Sequence, residues 1–175
     1  MNKPQRMLKH LWLDASDTRR AIPPDMLHRL AKRTAASEGR HNGQIRICVE
    51  ASLPMSYLWR LGRHASIAQL VRQRAVMMFS KLRVWDTAHN NGVLIYLQLA
   101  ERAIEIVADR GISSHVQLAE WQAMTARMGA AFAEGRFEDG LTQALEEVSA
   151  VLVEHFPGSG GMPGALGLPD EPVLG

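Results

Sequence analysis

Apolar residues recur every three or four positions in four separate stretches of the chain, and this spacing is typical of helices that bury one face. The first stretch follows Pro23 and Pro24, which suit the first turn of a helix, and it ends near Gly39. The apolar spacing predicts helices over residues 23–38, 64–82, 116–134 and 138–155.

Two other patterns predict β-strands between these helices. Residues 44–53 alternate, with Ile45, Ile47 and Val49 on one side of the predicted strand. Residues 93–99 are almost all apolar, which is typical of a central strand buried on both faces. Residues 101 and 102 are polar, and residues 103–108 form the second strand of a predicted hairpin. The order of elements indicates an α/β fold, a three-layer α/β/α sandwich with a small mixed sheet flanked by helices.

The two ends of the chain lack this order. Residues 1–19 are predicted to be an irregular N-terminal segment, and residues 20–157 form the predicted domain. Residues 158–175 are rich in Gly and Pro, and their composition predicts a disordered tail. The Gly-Ser-Gly-Gly at residues 158–161 is not a phosphate-binding loop, because neither Lys-Ser/Thr nor a helical pattern follows it.

Composition narrows the class of protein. Apolar residues make up 46% of the chain and charged residues 22%, as in ordinary globular proteins. We find no apolar run of the roughly 18 residues that a spanning helix needs, and no apolar core of a secretory signal near the N-terminus. These features predict a protein of the bacterial or organellar interior, in a bacterium a cytoplasmic protein that is peripheral to the inner membrane if it meets a membrane at all. Cys48 lies in a predicted strand and is expected to be a buried small hydrophobe rather than a reactive thiol.

Charge is distributed unevenly along the chain. Residues 1–83 hold 16 Lys and Arg against 5 Asp and Glu, whereas residues 84–175 hold 4 against 13. The basic half is either a docking face for a membrane surface or an acidic protein partner, or it is neutralised by the acidic half in the fold. Nucleic acid is a disfavoured partner, because no nucleic-acid-binding motif is present and only 6% of residues are aromatic.

Polar residues crowd the entrance to the strand at residues 93–99. Asp86, Asn90 and Asn91 precede this strand, and Asp109 follows the next one, so the four side chains are predicted to meet at one rim of the sheet. Oxygen ligands of this kind suit Ca²⁺ or Mg²⁺. The alternative is a tight turn at Asn91-Gly92, since Asn and Gly tolerate a positive φ. Both interpretations stay open.

Two further residues are candidates for binding a phosphate or another ligand. Arg102 could hold a phosphate through two parallel hydrogen bonds, or it could be an exposed residue of the hairpin turn. Glu50, at the end of the first predicted strand, could be a base or a ligand, or a side chain that faces solvent. The chain has no Gly-x-Ser-x-Gly, no His-Glu-x-x-His and no cysteine phosphatase loop, so no catalytic residue is assigned.

Several separated blocks of residues resemble the TPM-domain family, and more narrowly its short bacterial branch without a signal peptide. The resemblance covers about residues 20–157 and is carried by Asn-Gly-Val-Leu-Ile at residues 91–95, by Arg102 and Gly111, and by Gly-Arg-Phe-x-x-Gly at residues 135–140. It implies an α/β/α sandwich. The chain has Asn90 where longer relatives usually have Asp, and Ala-Asp-Arg-Gly at residues 108–111 where they have an acidic residue with glycines.

The resemblance also implies three classes of function. Some members are associated with acid-phosphatase-like activity, others with divalent-cation binding, and several longer relatives with the repair or assembly of membrane complexes. We expect a non-catalytic binding or assembly module linked to the maintenance of membrane complexes. The alternatives are a divalent-cation-dependent phosphatase and a regulatory domain that binds Ca²⁺ or Mg²⁺.

Overall fold

A computed structural model describes residues 3–62, 64–158 and 168–175 of the chain. The helices are α1 Lys3–Trp12, α2 Ala15–Ala21, α3 Pro24–Glu38, α4 Met55–Leu58, α5 Ile67–Lys81, α6 Arg110–Ser113, α7 Leu118–Ala133 and α8 Phe137–His155. The strands are β1 Gln44–Glu50, β2 Gly92–Gln98, β3 Ala103–Ala108 and β4 Val173–Leu174. The four long helices and three long strands predicted from the sequence are therefore confirmed, with bounds shifted by a few residues.

The sheet is mixed and has the strand order β3-β2-β1-β4. Strand β1 runs parallel to β2, with Gln44 opposite Gly92 and Glu50 opposite Gln98. Strands β2 and β3 form the predicted antiparallel hairpin. Every residue of β2 is buried, as the continuous apolar run predicts for a strand with a neighbour on each side.

Helices cover both faces of the sheet. On one face, Ile45, Ile47 and Val49 of β1 join apolar residues of α3, α7 and α8 in one buried cluster. On the other face, Cys48 and Tyr96 belong to a second cluster, with residues of α4 and α5. The side chains alternate between the two faces because successive residues of a strand point in opposite directions. The predicted three-layer α/β/α sandwich is confirmed.

Local sequence signals set several helix ends. Helix α3 has Pro24 at its first position, where the missing N–H would have no helical partner. Helix α5 begins after Ser66, whose hydroxyl accepts from the Gln69 N–H while the Gln69 side chain accepts from the Ser66 N–H. This capping box explains why α5 begins at Ile67 rather than at residue 64.

The prediction that residues 1–19 are irregular is wrong. Helices α1 and α2 occupy most of this stretch, and a capping box between Asp14 and Asp17 starts α2. On the side that α1 turns inward, His10 is hydrogen-bonded to Glu101 and Arg6 forms an ion pair with it, both at 3.0 Å, and Met7 packs against the core. Met7, Leu8, Leu11 and Trp12 recur at helical spacing, so the sequence carries a signal for this helix that the prediction missed.

The prediction of a disordered tail over residues 158–175 is wrong for the part that the structure describes. Residues 173–174 form β4, which pairs in parallel with β1 through Cys48 and Val49. A two-residue strand is too short to leave a periodic pattern in the sequence. Residues 159–167 of the predicted tail lie outside the described residues.

The turn predicted at Asn91-Gly92 lies one residue earlier. Asn90 has the positive φ, at 52°, whereas Gly92 already belongs to β2. A Cβ atom on Gly92 would lie 1.9 Å from the carbonyl oxygen of Val84. Glycine is therefore required at position 92 by the close approach of a neighbouring loop and not by a left-handed backbone.

Candidate functional site

The polar groups predicted to meet beside β2 lie in two adjoining segments, residues 86–91 and 109–111, which we call the polar rim. Strands β2 and β3 are antiparallel, so the residues before β2 and those after β3 are neighbours. The Asp109 N–H donates to the Gly92 carbonyl at 2.9 Å, and the Gly111 N–H donates to the Asn90 carbonyl at 3.0 Å. The structure thus brings Asn90, Asn91 and Asp109 together, as the sequence predicted.

Asn91 ties the polar rim to β1. Its side chain is buried, its Nδ2 donates to the Asn42 carbonyl at 3.0 Å, and its backbone N–H donates to the Thr87 hydroxyl at 3.0 Å. The Asn91 carbonyl accepts from the Gln44 N–H at 3.2 Å. These bonds join the starts of β1 and β2, so Asn91 has a structural role in the rim.

Two of the predicted cation ligands already face a guanidinium group. Asn90 Oδ1 accepts from Arg110 Nη2 at 3.1 Å and Nε at 3.3 Å, and the Asp86 carboxylate is 2.5 Å from Arg83 Nη2. Asp86 and Arg83 are both mostly exposed. A divalent cation at the rim would have to displace these two arginine side chains from the oxygens that they occupy.

Asp109 is different, because one of its carboxylate oxygens has no partner. Its Oδ1 accepts from the Arg110 N–H at 2.7 Å and caps α6. Its Oδ2 is buried and makes no hydrogen bond, and it is the one carboxylate oxygen in this state among the residues that the structure describes. An unpaired buried oxygen is costly to the fold and suits a cation ligand.

The rim fits a hard cation only in part. Calcium takes six to eight oxygen ligands, and Asp109 Oδ2 is the single side-chain oxygen here that is both buried and uncommitted. Within the described residues, no group of three or more His, Cys, Asp or Glu side chains is placed to hold a metal ion. The site at Asp86, Asn90, Asn91 and Asp109 therefore stays a prediction.

Gly111 has a steric reason for being glycine. A Cβ atom at this position would lie 2.5 Å from the Asn90 carbonyl oxygen and 2.8 Å from that of His89. The backbone of the loop before β2 therefore packs directly onto α6. This contact holds the two segments of the polar rim against each other.

Glu50 lies at the opposite end of the sheet, and it is buried rather than exposed to solvent. Its carboxylate faces Arg74 of α5, with Oε1 2.5 Å from Nη2 and Oε2 2.7 Å from Nε. The Tyr96 hydroxyl donates to Oε2 at 2.7 Å. Burial, with the Glu50 carboxylate as a further cause, raises the pKa of Tyr96 far above its usual value, so this phenol keeps its proton.

Sequence reasoning missed Arg74 and Tyr96 as the partners of Glu50. Tyr96 carried one usable signal, because a tyrosine in a fully buried strand needs a partner for its hydroxyl group. Arg74 carried none, because it lies in the polar stretch Arg72-Gln73-Arg74 of α5, where an arginine is expected to face solvent. The three side chains form a closed network, and every carboxylate oxygen of Glu50 has a partner inside the protein.

Arg102 lies in the β2–β3 turn with a positive φ of 50°. Its guanidinium group donates to the carbonyl of Ala133, the last residue of α7, and so ties the hairpin turn to a helix end that lacks intrahelical partners. Because β1 and β2 are parallel, Glu50 and Arg102 lie at one end of the sheet and the polar rim at the other. The two groups are separated by about 20 Å, the length of a seven-residue strand, and do not form one site.

The uneven charge of the two halves is partly neutralised within the fold. Arg6 pairs with Glu101, Arg29 with Glu138 and Arg72 with Glu105, and each pair joins the basic half to the acidic half. Lys9 of α1 remains exposed.

Of the helices in the described residues, none combines the length and the apolar composition required to traverse a bilayer.

Comparisons with known proteins agree with this architecture. A family model described as the TPM domain matches residues 16–151. The solution structure of the BA42 protein from the psychrophilic bacterium Bizionia argentinensis is similar, with a TM-score of 0.70 and 23% sequence identity. The similarity covers 88% of this chain and 95% of that one. No curated protein matches the chain at a significant level. On the family match over most of its length, the chain belongs to the TPM-domain family.

Proposed function

We propose that this TPM-domain protein is a non-catalytic binding module that docks on an anionic membrane surface, in keeping with a role in the maintenance of membrane complexes. The observation that carries the proposal is the orientation of α1. This helix turns Arg6 and His10, together with Met7, toward the domain and its other large apolar residues toward solvent, so most of its apolar side is uncovered, unlike that of a usual surface helix.

Polar contacts fix the inner side of α1. His10 is buried, its Nδ1 accepts from the Leu53 N–H at 2.9 Å, and its Nε2 is 3.0 Å from Glu101 Oε1. Since Nδ1 is an acceptor, the ring proton lies on Nε2, which donates to Glu101. Lys3 Nζ donates to the Leu61 carbonyl at 2.7 Å and holds the start of the helix. The rotation of α1 about its own axis is therefore fixed.

The outer side of α1 carries three large apolar residues. Leu8, Leu11 and Trp12 are 56%, 63% and 78% exposed, and their spacing places them on one side of the helix. Trp59 is also largely exposed, and its carbonyl oxygen is 3.3 Å from Lys3 Nζ, beside the start of α1. We call Leu8, Leu11 and Trp12 the apolar patch.

Charge favours a lipid surface as the occupant of this patch. Helix α1 has no acidic residue and Lys9 is exposed beside the apolar patch, whereas Lys3 and Arg6 are engaged with the domain. A helix with Leu and Trp on one side and Lys beside them is typical of helices that lie in the plane of a membrane interface. Each Lys or Arg near an anionic surface contributes about 1 kcal/mol, and Trp is favoured at the level of the head groups.

Sedimentation with lipid vesicles tests the proposal. We expect the full chain to bind vesicles of phosphatidylcholine and phosphatidylglycerol in low salt, and to bind vesicles of phosphatidylcholine alone much more weakly. Trp12→Ala and Leu11→Gln should each weaken binding by about tenfold or more, because each removes apolar area worth about 1.5–3 kcal/mol when buried. Trp85→Ala is the matched control, since Trp85 is also largely exposed and lies outside the patch.

Two outcomes would contradict membrane docking. One is the absence of binding to anionic vesicles in low salt. The other is binding that Trp12→Ala leaves at the wild-type level or that Trp85→Ala weakens as much. In the second case the protein would bind lipid, but through a surface other than α1.

A second candidate function is the binding of Ca²⁺ or Mg²⁺ by a regulatory domain, and the unpaired Oδ2 of Asp109 favours it. A bound cation would give this buried oxygen a partner and would hold the two segments of the polar rim together. Displacement of Arg110 from Asn90 Oδ1 would have to accompany binding. A modest affinity is expected, since few of the six or more oxygens required are free.

Calorimetric titration and thermal unfolding with Ca²⁺ and Mg²⁺ test this candidate. Asp109→Asn keeps an oxygen to cap α6 and removes the charge, so it should abolish any stabilisation by the cation. Asp86→Asn should reduce it less, because Asp86 is exposed and paired with Arg83. No heat of binding and no shift of the melting temperature would exclude the cation site. Hydrolysis of a generic phosphate ester, dependent on the cation and lost in Asp109→Asn, would instead favour the phosphatase alternative.

A further inference from the structure

A cleft of about 370 Å³ opens at the surface between α3 and α8. Its lining residues recur at intervals of three or four, so one side of each helix forms a wall. They are Arg33, Ser37 and Arg40 at the end of α3, and Thr142, Leu145 and Glu146 of α8. The volume lies in the range of pockets that bind small organic molecules, and the cleft is distinct from the polar rim and the apolar patch.

The surface inside the cleft is largely apolar. Ala36 of α3 contributes its methyl group, and Leu145 joins the cleft to the buried core beneath it. The aliphatic stems of Arg33 and Arg40 cover further apolar area. An apolar group of matching size would lose contact with water on entering the cleft, and this loss favours binding.

Two guanidinium groups at the cleft lack a carboxylate partner. One turn earlier on α3, Arg29 binds both Asp25 and Glu138, with bonds of 2.7 Å. Arg33 and Arg40 form no ion pair within the residues that the structure describes. Because Arg29 already occupies the nearby carboxylates, the positive charge of Arg33 and Arg40 remains available to an anion in the cleft.

Arg40 is held in place by a buried residue of α8. Its Nη2 donates to the Ser149 hydroxyl at 2.8 Å, and Ser149 is only 1% exposed, so the other N–H groups of the guanidinium are left for a ligand. Ser37 has no hydrogen to offer. His41 Nδ1 donates to the Gly43 carbonyl at 3.0 Å, so His41 Nε2 accepts from the Ser37 hydroxyl, also at 3.0 Å.

The charge of the cleft favours a ligand with a single negative charge. Arg33 and Arg40 bring two positive charges, and Glu146 brings one negative charge. His41, behind Ser37, adds none, because burial lowers its pKa from 6.5 and leaves the ring neutral at neutral pH. A carboxylate would balance the remaining positive charge. A phosphate monoester approaches two negative charges at neutral pH, and the second would lie unbalanced beside Glu146.

We propose that the cleft between α3 and α8 binds a small carboxylate with an apolar body, such as a medium-chain alkanoate. Arg40 binds the carboxylate through its free N–H groups, as guanidinium groups do in paired hydrogen bonds, and Arg33 adds its positive charge. The apolar body lies against Ala36 and Leu145. The proposal is independent of membrane docking, because the cleft is formed by α3 and α8 and not by α1.

Calorimetric titration of the full chain tests the proposal, with sodium octanoate below its micelle-forming concentration as the probe. We expect octanoate to bind. Acetate keeps the carboxylate but lacks the chain, so it should bind about tenfold more weakly or worse, since each buried methylene group favours binding. Octanamide keeps the chain but lacks the charge, and it should also bind about tenfold more weakly or worse. Octyl phosphate should bind more weakly than octanoate because of its second charge.

Variants place the probe in the cleft. Arg40→Gln should weaken octanoate binding by about tenfold, because it removes the guanidinium that Ser149 positions. Arg33→Gln should weaken it less, since Arg33 contributes only its charge. Lys32→Gln is the matched control, because it removes the same charge from an exposed residue outside the cleft and should bind as the wild type does. Ala36→Trp, at an exposed position, fills the cleft and keeps every charge, so it should abolish binding and serves if Arg40→Gln does not fold.

Several outcomes would overturn the proposal. One is the absence of any heat of binding with octanoate, and another is octanoate binding that both Arg40→Gln and Ala36→Trp leave at the wild-type level. Binding of octanamide or octyl phosphate as tight as that of octanoate would contradict the recognition of a carboxylate. Trp12→Ala should leave octanoate binding unchanged; if it abolishes binding while the cleft variants retain it, octanoate binds to the apolar patch instead.

Discussion

Glu50 of β1 and Arg74 of α5 form an ion pair with two hydrogen bonds, of 2.5 Å and 2.7 Å, in which neither side chain is more than 13% exposed. The pair clamps the end of β1 to the helix that covers one face of the sheet. The Tyr96 hydroxyl supplies a third bond to the same carboxylate. Such a pair is costly to desolvate but far more costly to break, because one charge is then left buried alone.

We predict that Glu50→Ala lowers the free energy of unfolding by about 3–5 kcal/mol, because it leaves the Arg74 charge and the Tyr96 hydroxyl without a partner. Chemical denaturation with urea measures the change. The matched control is Asp86→Ala, whose ion pair with Arg83 is exposed and should be worth less than about 1 kcal/mol. Equal losses in the two variants would contradict a special role for the buried pair.

His10 should contribute substantially to holding α1 against the domain. We predict that His10→Ala costs about 1–3 kcal/mol, because the buried Leu53 N–H loses its acceptor and Glu101 loses one of its donors. Urea unfolding gives the stability, and proteolysis near residue 12 reports whether α1 detaches. Lys9→Ala, one residue away on the exposed side, should leave both measurements at wild-type values.

The sequence predicted the helices and strands that bury apolar side chains. Strand β2 is recognisable because each of its residues is buried, and the hairpin follows because two largely apolar runs are separated by a polar pair. Helix α1 was not predicted, although Met7, Leu8, Leu11 and Trp12 recur at helical spacing and mark one apolar side. Strand β4 was not predicted because two residues carry no period. Its place in the sheet depends on hydrogen bonds to β1, which leave no repeating pattern.

The candidate residues divide in the same way. Antiparallel pairing of β2 and β3 brings Asn90 and Asp109 together, and this follows from the predicted hairpin. The burial of Glu50 does not follow from the sequence, since its partner Arg74 lies 24 residues away on a helix. Side-chain partners across layers depend on the relative rotation of helix and sheet, which local patterns do not specify.

Two glycine substitutions should change stability in opposite directions. Gly92→Ala places a Cβ atom 1.9 Å from the Val84 carbonyl oxygen, so the loop before β2 must move, at a cost of about 3 kcal/mol. Gly129→Ala lies within α7, where a Cβ would meet nothing within 4 Å, and it should stabilise by about 0.5–1 kcal/mol. Thermal unfolding of both variants checks the signs, and a neutral Gly92→Ala would contradict the close approach.

Cys48 should be unreactive in the folded protein. Burial first, and then the nearby Glu50 carboxylate, raise the pKa of the Cys48 thiol from 9.0 to about 12. At about pH 8 the reactive thiolate is therefore about one part in ten thousand, and the buried side chain is also closed to reagents. Alkylation by iodoacetamide, followed by mass spectrometry, should be negligible in native protein and complete in urea. Rapid labelling of the native protein would mean that the core around β1 opens readily. Labelling that follows the urea unfolding curve would mean that Cys48 becomes accessible only on global unfolding.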